Sequence, residues 1–354
     1  MVEPTRLTRF SHGAGCACKL GPADLSTVLG LLEPIETPAE VLVSERTGDD
    51  AAVWDLGDGR ALVATIDVFT PVVDEARDWG RIAAANALSD VYAMGGEPKL
   101  ALNLAGWPND ELPLELLAEV LDGAREVASG AGVAVVGGHT ITTEKEPLYG
   151  MVALGFVDRD RMIRNTVAEP GMTLVLTKPI GVGILTTAIK RGVATQGQRE
   201  AAVTTMTTLN AAATRAALEA GVTAGTDVTG FGLLGHLRKL LEASGVAAAI
   251  VADRVPLLDG VLAHAQADVV PGGTKRNHSW LRPTTDWGAL TVPEQMVLAD
   301  AQTSGGLLLA TRDPLALAVA LETEGVHFAE IGAVVEGAPG EVVVSGRIAP
   351  KAQG

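Results

Sequence analysis

The chain has 354 residues, 47% of them hydrophobic and 20% charged, which is enough for about two domains with cores of their own and excludes a largely disordered chain. Its 27 Lys and Arg stand against 43 Asp and Glu, a formal charge of −16 with aromatic residues at 3%, and such a surface repels nucleic acid. Two cysteines two residues apart exclude a disulfide framework, no apolar run approaches the roughly 18 residues needed to cross a bilayer, and Met1-Val2-Glu3-Pro4 does not read as a secretory leader; the expectation is a soluble cytoplasmic protein.

In chain order, a glycine-rich segment comes first, Ser11-His12-Gly13-Ala14-Gly15-Cys16-Ala17-Cys18-Lys19, with no apolar periodicity to bury it. Strands follow at 51–54 and 61–66, separated by the Gly57-Asp58-Gly59 turn. Ile82, Ala85, Leu88, Val91 and Tyr92 recur at helical spacing and predict a helix over 78–94, stopped by Gly95-Gly96. Next come a strand at 100–104, a helix at 114–129, and strands at 133–136 and 149–157. Pro170-Gly171 marks a break, which puts a domain boundary near 160–172. Beyond it lie a strand at 173–176, one helix from about 200 to 220, a glycine-rich stretch at 225–235, an irregular region at 256–296, and strands at 306–310 and 341–344. The class is α/β or α+β.

Three features carry chemistry. Cys16 has the Lys19 ammonium three residues on, where a thiolate is favoured; the plainer alternative is a small buried Cys with an incidental Lys. A structural zinc site is not completed by His12, Cys16 and Cys18, since there is no second Cys pair. The second feature is a set of scattered acids: Asp49-Asp50, Asp67 at the end of an apolar strand, Asp90 one helical turn from Asn86, and Asp227. Dispersed hard oxygens of this kind suit Mg²⁺, which keeps waters and bridges to phosphates. Candidate phosphate binders form the third, Gly137-Gly138-His139-Thr140 and Gln302-Thr303-Ser304-Gly305-Gly306, each readable also as a turn without ligand. Gly230-Phe231-Gly232-Leu233-Leu234-Gly235 matches G-x-G-x-x-G in letters, but the polar, glycine-broken 224–229 stretch before it does not read as the apolar strand a dinucleotide site requires.

These residues together resemble the selenophosphate synthetases (selenide, water dikinases). The likeness runs in order from about residue 6 to 310, through the Ser11–Lys19 loop, Gly48-Asp49-Asp50-Ala51-Ala52-Val53, Thr65-Ile66-Asp67 and Asn86-Ala87-Leu88-Ser89-Asp90. It continues through Gly106-Trp107-Pro108, Gly137-Gly138-His139-Thr140, Leu176-Thr177-Lys178-Pro179-Ile180-Gly181, Thr226-Asp227-Val228-Thr229-Gly230-Phe231-Gly232, Pro271-Gly272-Gly273-Thr274 and Gln302-Thr303-Ser304-Gly305-Gly306. The acid and glycine motifs are shared with the wider aminoimidazole-ribonucleotide-synthetase-like superfamily, whereas the Cys/Lys loop separates the selenium branch. Ala17 departs from the glycine the family commonly has between the two Cys.

The resemblance implies a mobile N-terminal segment (1–47), an ATP-binding domain (48–165) and a second α/β domain (166–354), with the N-terminal sheets forming a β-barrel across a homodimer. It implies synthesis of selenophosphate from ATP, selenide and water with release of AMP and orthophosphate, with Mg²⁺, K⁺ and a selenium-delivery protein as further participants. Cys16 and Lys19 match the family's catalytic positions. Lys19, Thr47, Gly48, Asp49, Asp67, Asp90, Gly138, His139 and Thr140 match its nucleotide contacts, and Asp50, Asp90 and Asp227 its metal ligands. The alternatives are another ATP-using enzyme of the superfamily, such as a ring-closing synthetase or a small-molecule kinase, and a Cys-based redox or metal-binding protein.

Overall fold

The computed structural model describes residues 5–11, 22–33, 36–44 and 50–348. Two sheets organise it. The first contains β1 (Val41–Val43), β2 (Ala52–Asp55), β3 (Arg60–Phe69), β4 (Glu97–Trp107), β5 (Ala134–Thr142) and β6 (Leu148–Asp158), in the order β1-β2-β3-β6-β4-β5. All its pairs are antiparallel except β4 with β5. Helix α1 (Pro22–Gly30) precedes these strands in the chain, and α2 (Ala76–Ala93) and α3 (Leu114–Gly130) pack against them.

The second sheet contains β7 (Thr173–Leu176), β8 (Ala224–Asp227), β9 (Ala247–Val251), β10 (Thr285–Asp286), β11 (Leu307–Thr311), β12 (Ala329–Val335) and β13 (Val342–Ser345). Their order is β10-β13-β9-β12-β7-β11-β8. Its helices are α4 (Val182–Arg191), α5 (Gln196–Thr207), α6 (Ala211–Glu219), α7 (Gly232–Ser244), α8 (Val261–Gln266), α9 (Gly272–Leu281), α10 (Val292–Leu298) and α11 (Pro314–Thr323). This is the expected mixed α/β architecture.

Helix α2 is the element shared by both halves. A surface helix buries one stripe, but α2 buries almost its whole circumference, Asn86, Ser89 and Asp90 included. It packs on β3, β6 and α3 on one side and on β8, α5 and α6 of the second half on the other. Glycine permits the α2–α3 contact: a Cβ on Gly80 would stand 1.9 Å from Val120 O, and one on Gly123 2.0 Å from Arg77 O.

Strand β3 alternates as a half-buried strand should. Ala61, Val63, Asp67 and Phe69 face the core, whereas Ile66 is 56% exposed. Trp54 pairs with Leu62, which pairs with Phe156, so these three share one face, with Trp54 and Phe156 exposed.

Several expectations are corrected. The single helix over 200–220 is two, α5 and α6, because Thr208 is extended (ψ 122°) and Asn210 precedes the new helix. The region read as irregular, 256–296, holds α8, α9, β10 and α10. Helix α10 starts on a capping box, Thr291 with Glu294, which short-range apolar periodicity does not reveal. The stretch before the G-x-G-x-x-G letters is a strand after all, β8, followed by α7. Yet β8 ends the order of its sheet, pairs antiparallel with β11 and on its other side makes an isolated parallel bridge from Ala224 to Arg164, so no parallel strand of a βαβ unit lies beside it. Gly232 (φ +74°) serves packing, since a Cβ there would lie 2.6 Å from Asp300 O.

Candidate active site

Five of the site residues expected from the sequence, Cys16, Lys19, Thr47, Gly48 and Asp49, lie outside the described residues, as do Cys18 and the Gly13–Gly15 stretch on which the loop's expected mobility rests. The other expected residues divide into an acidic cluster at the domain junction and a glycine strand at the sheet edge.

The acids are held by hydroxyl groups. Thr65 Oγ1, on β3, donates to Asp90 Oδ2 at 2.5 Å. Ser89 Oγ donates to Asp227 Oδ2 at 2.5 Å, joining α2 to the end of β8. Thr226 Oγ1 donates to Asp50 Oδ1 at 2.8 Å, so the residue next to Asp227 anchors the residue that leads into β2. Helical geometry explains why α2 takes part twice: Asn86, Ser89 and Asp90 lie three and four residues apart on one face. Asn86 Nδ2 donates to Asp67 Oδ2 at 2.6 Å. Thus Asp50, Asp67, Asp90 and Asp227 are each tied to a partner that also belongs to, or adjoins, the α2–β8 junction.

These acids are largely out of solvent: Asp67 is 6%, Asp90 8% and Asp227 1% exposed. Buried carboxylates persist where hydrogen bonds or cations offset their lost hydration. Among the described residues, no three His, Cys, Asp or Glu side chains come together closely enough to hold an ion alone. The donor chemistry nevertheless fits Mg²⁺: hard carboxylate oxygens, oriented by hydroxyls, that leave the rest of an octahedral shell to water and phosphate.

Gly138, His139 and Thr140 form no loop. They lie inside β5, exposed on the sheet edge. A β-bulge falls here, because the register with β4 shifts between Ala101 and Asn103. Only glycine fits the bulge: Gly138 has φ +156°, and a Cβ on it would stand 2.2 Å from Asn103 O. Asp67, Met151, Asn103 and Gly138 form one row across four strands. At about 4.8 Å per strand, Gly138 is about 14 Å from Asp67.

The segment Gln302–Gly306, a candidate phosphate binder in the sequence, is buried and already engaged. Gln302 Oε1 accepts from Gly181 N and Val182 N, and Asp300 Oδ2 accepts from Ile184 N, so this segment caps α4. Ser304 N donates to Asn86 Oδ1 at 2.8 Å. Its role is to join the domains.

Polar residues that were given no site role from the sequence also meet here. Lys178 is 8% exposed, and its Nζ donates to Thr208 O at 2.6 Å and to Ser304 O at 2.9 Å. Burial pushes its pKa down to about 7 against the attraction of Asp227. The available signal was a Lys between the apolar Leu174–Leu176 strand and Ile180. Ser89 and Asn210 likewise had no role assigned from the sequence; Asn210 Nδ2 donates to Ser89 Oγ at 2.8 Å.

A cavity of about 620 Å³ is lined by Arg9, Phe10, Ser11, Glu111, Lys145 and Glu146. It adjoins the end of β3 that carries Asp67, because Ser11 and Thr70 hydroxyls meet at 2.6 Å. Residues 6–11 are fixed to both halves: Arg6 pairs with Asp74 and donates to Ile189 O and Lys190 O, and Lys190 donates to Ser11 O.

Known proteins resemble this chain along nearly its whole length. Residues 48–157 match the family AIR synthase related protein, N-terminal domain, and residues 169–345 match AIR synthase related protein, C-terminal domain. The chain is 48% identical to a selenide, water dikinase of Myxococcus xanthus, covering 96% of this chain and 97% of that protein. It is 44% identical to a selenide, water dikinase of Carboxydothermus hydrogenoformans, covering 97% and 99%. Among solved structures, a thiamine-monophosphate kinase from Stenotrophomonas maltophilia has a similar fold, with TM-score 0.64 at 21% identity over 94% of this chain and 98% of that one. With those two relatives matched from end to end and both domain families present, the chain belongs to the selenide, water dikinase family of AIR synthase related proteins.

Proposed function

We propose that this protein makes selenophosphate from ATP, selenide and water, releasing AMP and orthophosphate. The observation that carries the reading is identity of 44% and 48% with selenide, water dikinases over at least 96% of the chain. The junction of hydroxyl-held acids supports it physically. ATP brings about four negative charges to a chain of net charge −16, and carboxylates placed directly against phosphate oxygens would repel them.

Asp50, Asp90 and Asp227 would hold Mg²⁺, and Lys19, Thr47, Gly48, Asp49, Asp67, Asp90, Gly138, His139 and Thr140 would contact the nucleotide. Bound there, Mg²⁺ supplies neutralisation of the polyphosphate charge. The protein's own share is positioning: Thr65, Ser89 and Thr226 fix the carboxylates before nucleotide arrives, so no reorganisation is needed during reaction.

In the first step selenide attacks the γ-phosphorus and the bond to the β-phosphate oxygen breaks, giving selenophosphate and ADP. Water then attacks the β-phosphorus of that ADP, and AMP leaves with orthophosphate as the second product. Lys19 would stabilise charge on the transferring group, and Cys16 would serve the selenium chemistry. K⁺ is a further cation of the site, a selenium-delivery protein supplies selenide, and the cytoplasm is the setting. The apolar outer face of the first sheet, with Trp54, Ile66 and Phe156 exposed, supports a homodimer closed through that sheet.

The experiment is anaerobic incubation with ATP, Mg²⁺ and selenide, followed by nucleotide separation and phosphorus NMR. AMP together with a new P–Se resonance is the expected result. ADP as the final nucleotide would point to a kinase instead.

A further inference from the structure

The backbone of Ser304 and Gly305 is gripped from three directions. Ser304 N donates to Asn86, whose amide nitrogen donates to Asp67. Gly305 O accepts from Asn210 Nδ2 at 2.9 Å, and the same nitrogen donates to Ser89, which donates to Asp227. Lys178 Nζ donates to Ser304 O. One peptide turn therefore touches the supports of Asp67, on the first sheet, and of Asp227, on the second.

The turn does not hold this shape by itself. Ser304 has φ +51°, a left-handed conformation that a residue with a Cβ adopts at a cost, and Gly305 has no room for one, since a Cβ would lie 2.1 Å from Val228 O. Asn86 fixes the peptide before Ser304, and Lys178 fixes the peptide after it. An ammonium is an expensive group to bury, and a Met of similar shape would fill the space without that desolvation cost. Lys178 is nonetheless the residue there, and its two carbonyl acceptors belong to Ser304 and to Thr208, two residues before Asn210.

We propose that Lys178 is a positioning residue: through the Ser304 carbonyl it locks the 304–305 turn, and that turn, through Asn86 and Asn210, sets Asp67 of one domain against Asp227 of the other. The inference rests on reading Asp67 as a nucleotide contact and Asp227 as a metal ligand.

A kinetic cycle tests it, measuring kcat and KM for ATP in AMP formation, well below the melting temperature of each variant. The variants are Lys178→Met, Asn86→Ala and their combination, with Asp227→Asn alongside. Lys178→Met is expected to lower kcat/KM for ATP at least tenfold in a protein that remains folded. The double variant is expected to lose no more than the worse single one, because both act on one turn. A Lys178→Met enzyme within twofold of the parent, or losses that multiply in the double variant, overturns the proposal. If Lys178→Met does not fold, Lys178→Leu, which also removes the donor to the Ser304 carbonyl, takes its place under the same criteria. Full activity of Asp227→Asn would instead overturn the underlying reading of the site, so the two failures are distinguishable.

Discussion

Ser89 donates its hydroxyl proton to Asp227 at 2.5 Å, so a helix of the first domain holds an acid of the second. Both side chains are buried. A hydrogen bond to a charged group contributes about 1.5–3 kcal/mol, so Ser89→Ala should lower kcat/KM for ATP about tenfold or more. Steady-state kinetics checks this, and a KM that rises with kcat unchanged would show that Ser89 serves only nucleotide binding.

Cys16 and Lys19 should separate in their effects. Cys16→Ser should abolish selenophosphate formation while leaving slow ATP hydrolysis, whereas Lys19→Ala should suppress both. Phosphorus NMR with parallel nucleotide chromatography reads the two products together. Full activity of Cys16→Ser with free selenide would remove a chemical role for the thiol.

The contact between α2 and α3 makes a stability prediction. Gly123→Ala gains about 1 kcal/mol of helix propensity but drives a Cβ to 2.0 Å from Arg77 O, and overpacking of this kind costs about 3 kcal/mol. The clash wins. A lowered urea midpoint is expected, and a raised one would show that the helices part without penalty.

Glu294 makes a pH prediction. Burial alone would raise its pKa, but hydrogen bonds from Arg347 and from the hydroxyl and backbone of Thr291 outweigh burial and hold it at about 2, below the ordinary 4.5. A pKa lowered on folding gives stability that is fully present above 4.5 and lost as pH falls through about 2. Denaturation midpoints between pH 6 and pH 3 should therefore fall more steeply for the parent than for Glu294→Gln. Parallel slopes would contradict the assignment.

How much of this was legible in the sequence depends on the range of the interaction. The helix expected at 78–94 is α2, at 76–93, because its apolar spacing is local and strong. The shared face of Asn86 and Asp90 was legible for the same reason. The break at Asn210 was not, since Asn210 interrupts the helix to reach Ser89 and Gly305, partners distant in the chain. Lys178 shows the same limit: its acceptors are 30 and 126 residues away. Gly137-Gly138 left a phosphate-binding backbone and a plain turn both open, and neither reading foresaw the bulge inside β5 that the approach of Asn103 requires. The acids were visible one by one as residue types, but the hydroxyls that hold them belong to other elements.

In the proposed reaction Asp50, Asp90 and Asp227 would meet the polyphosphate of ATP through divalent cations. A crystal structure of the protein with Mg²⁺ and a non-hydrolysable ATP analogue tests it most directly. Density for Mg²⁺ between the phosphates and these three carboxylates is the expected result. Nucleotide bound elsewhere, with those carboxylates contacting only their Thr and Ser partners, would contradict it.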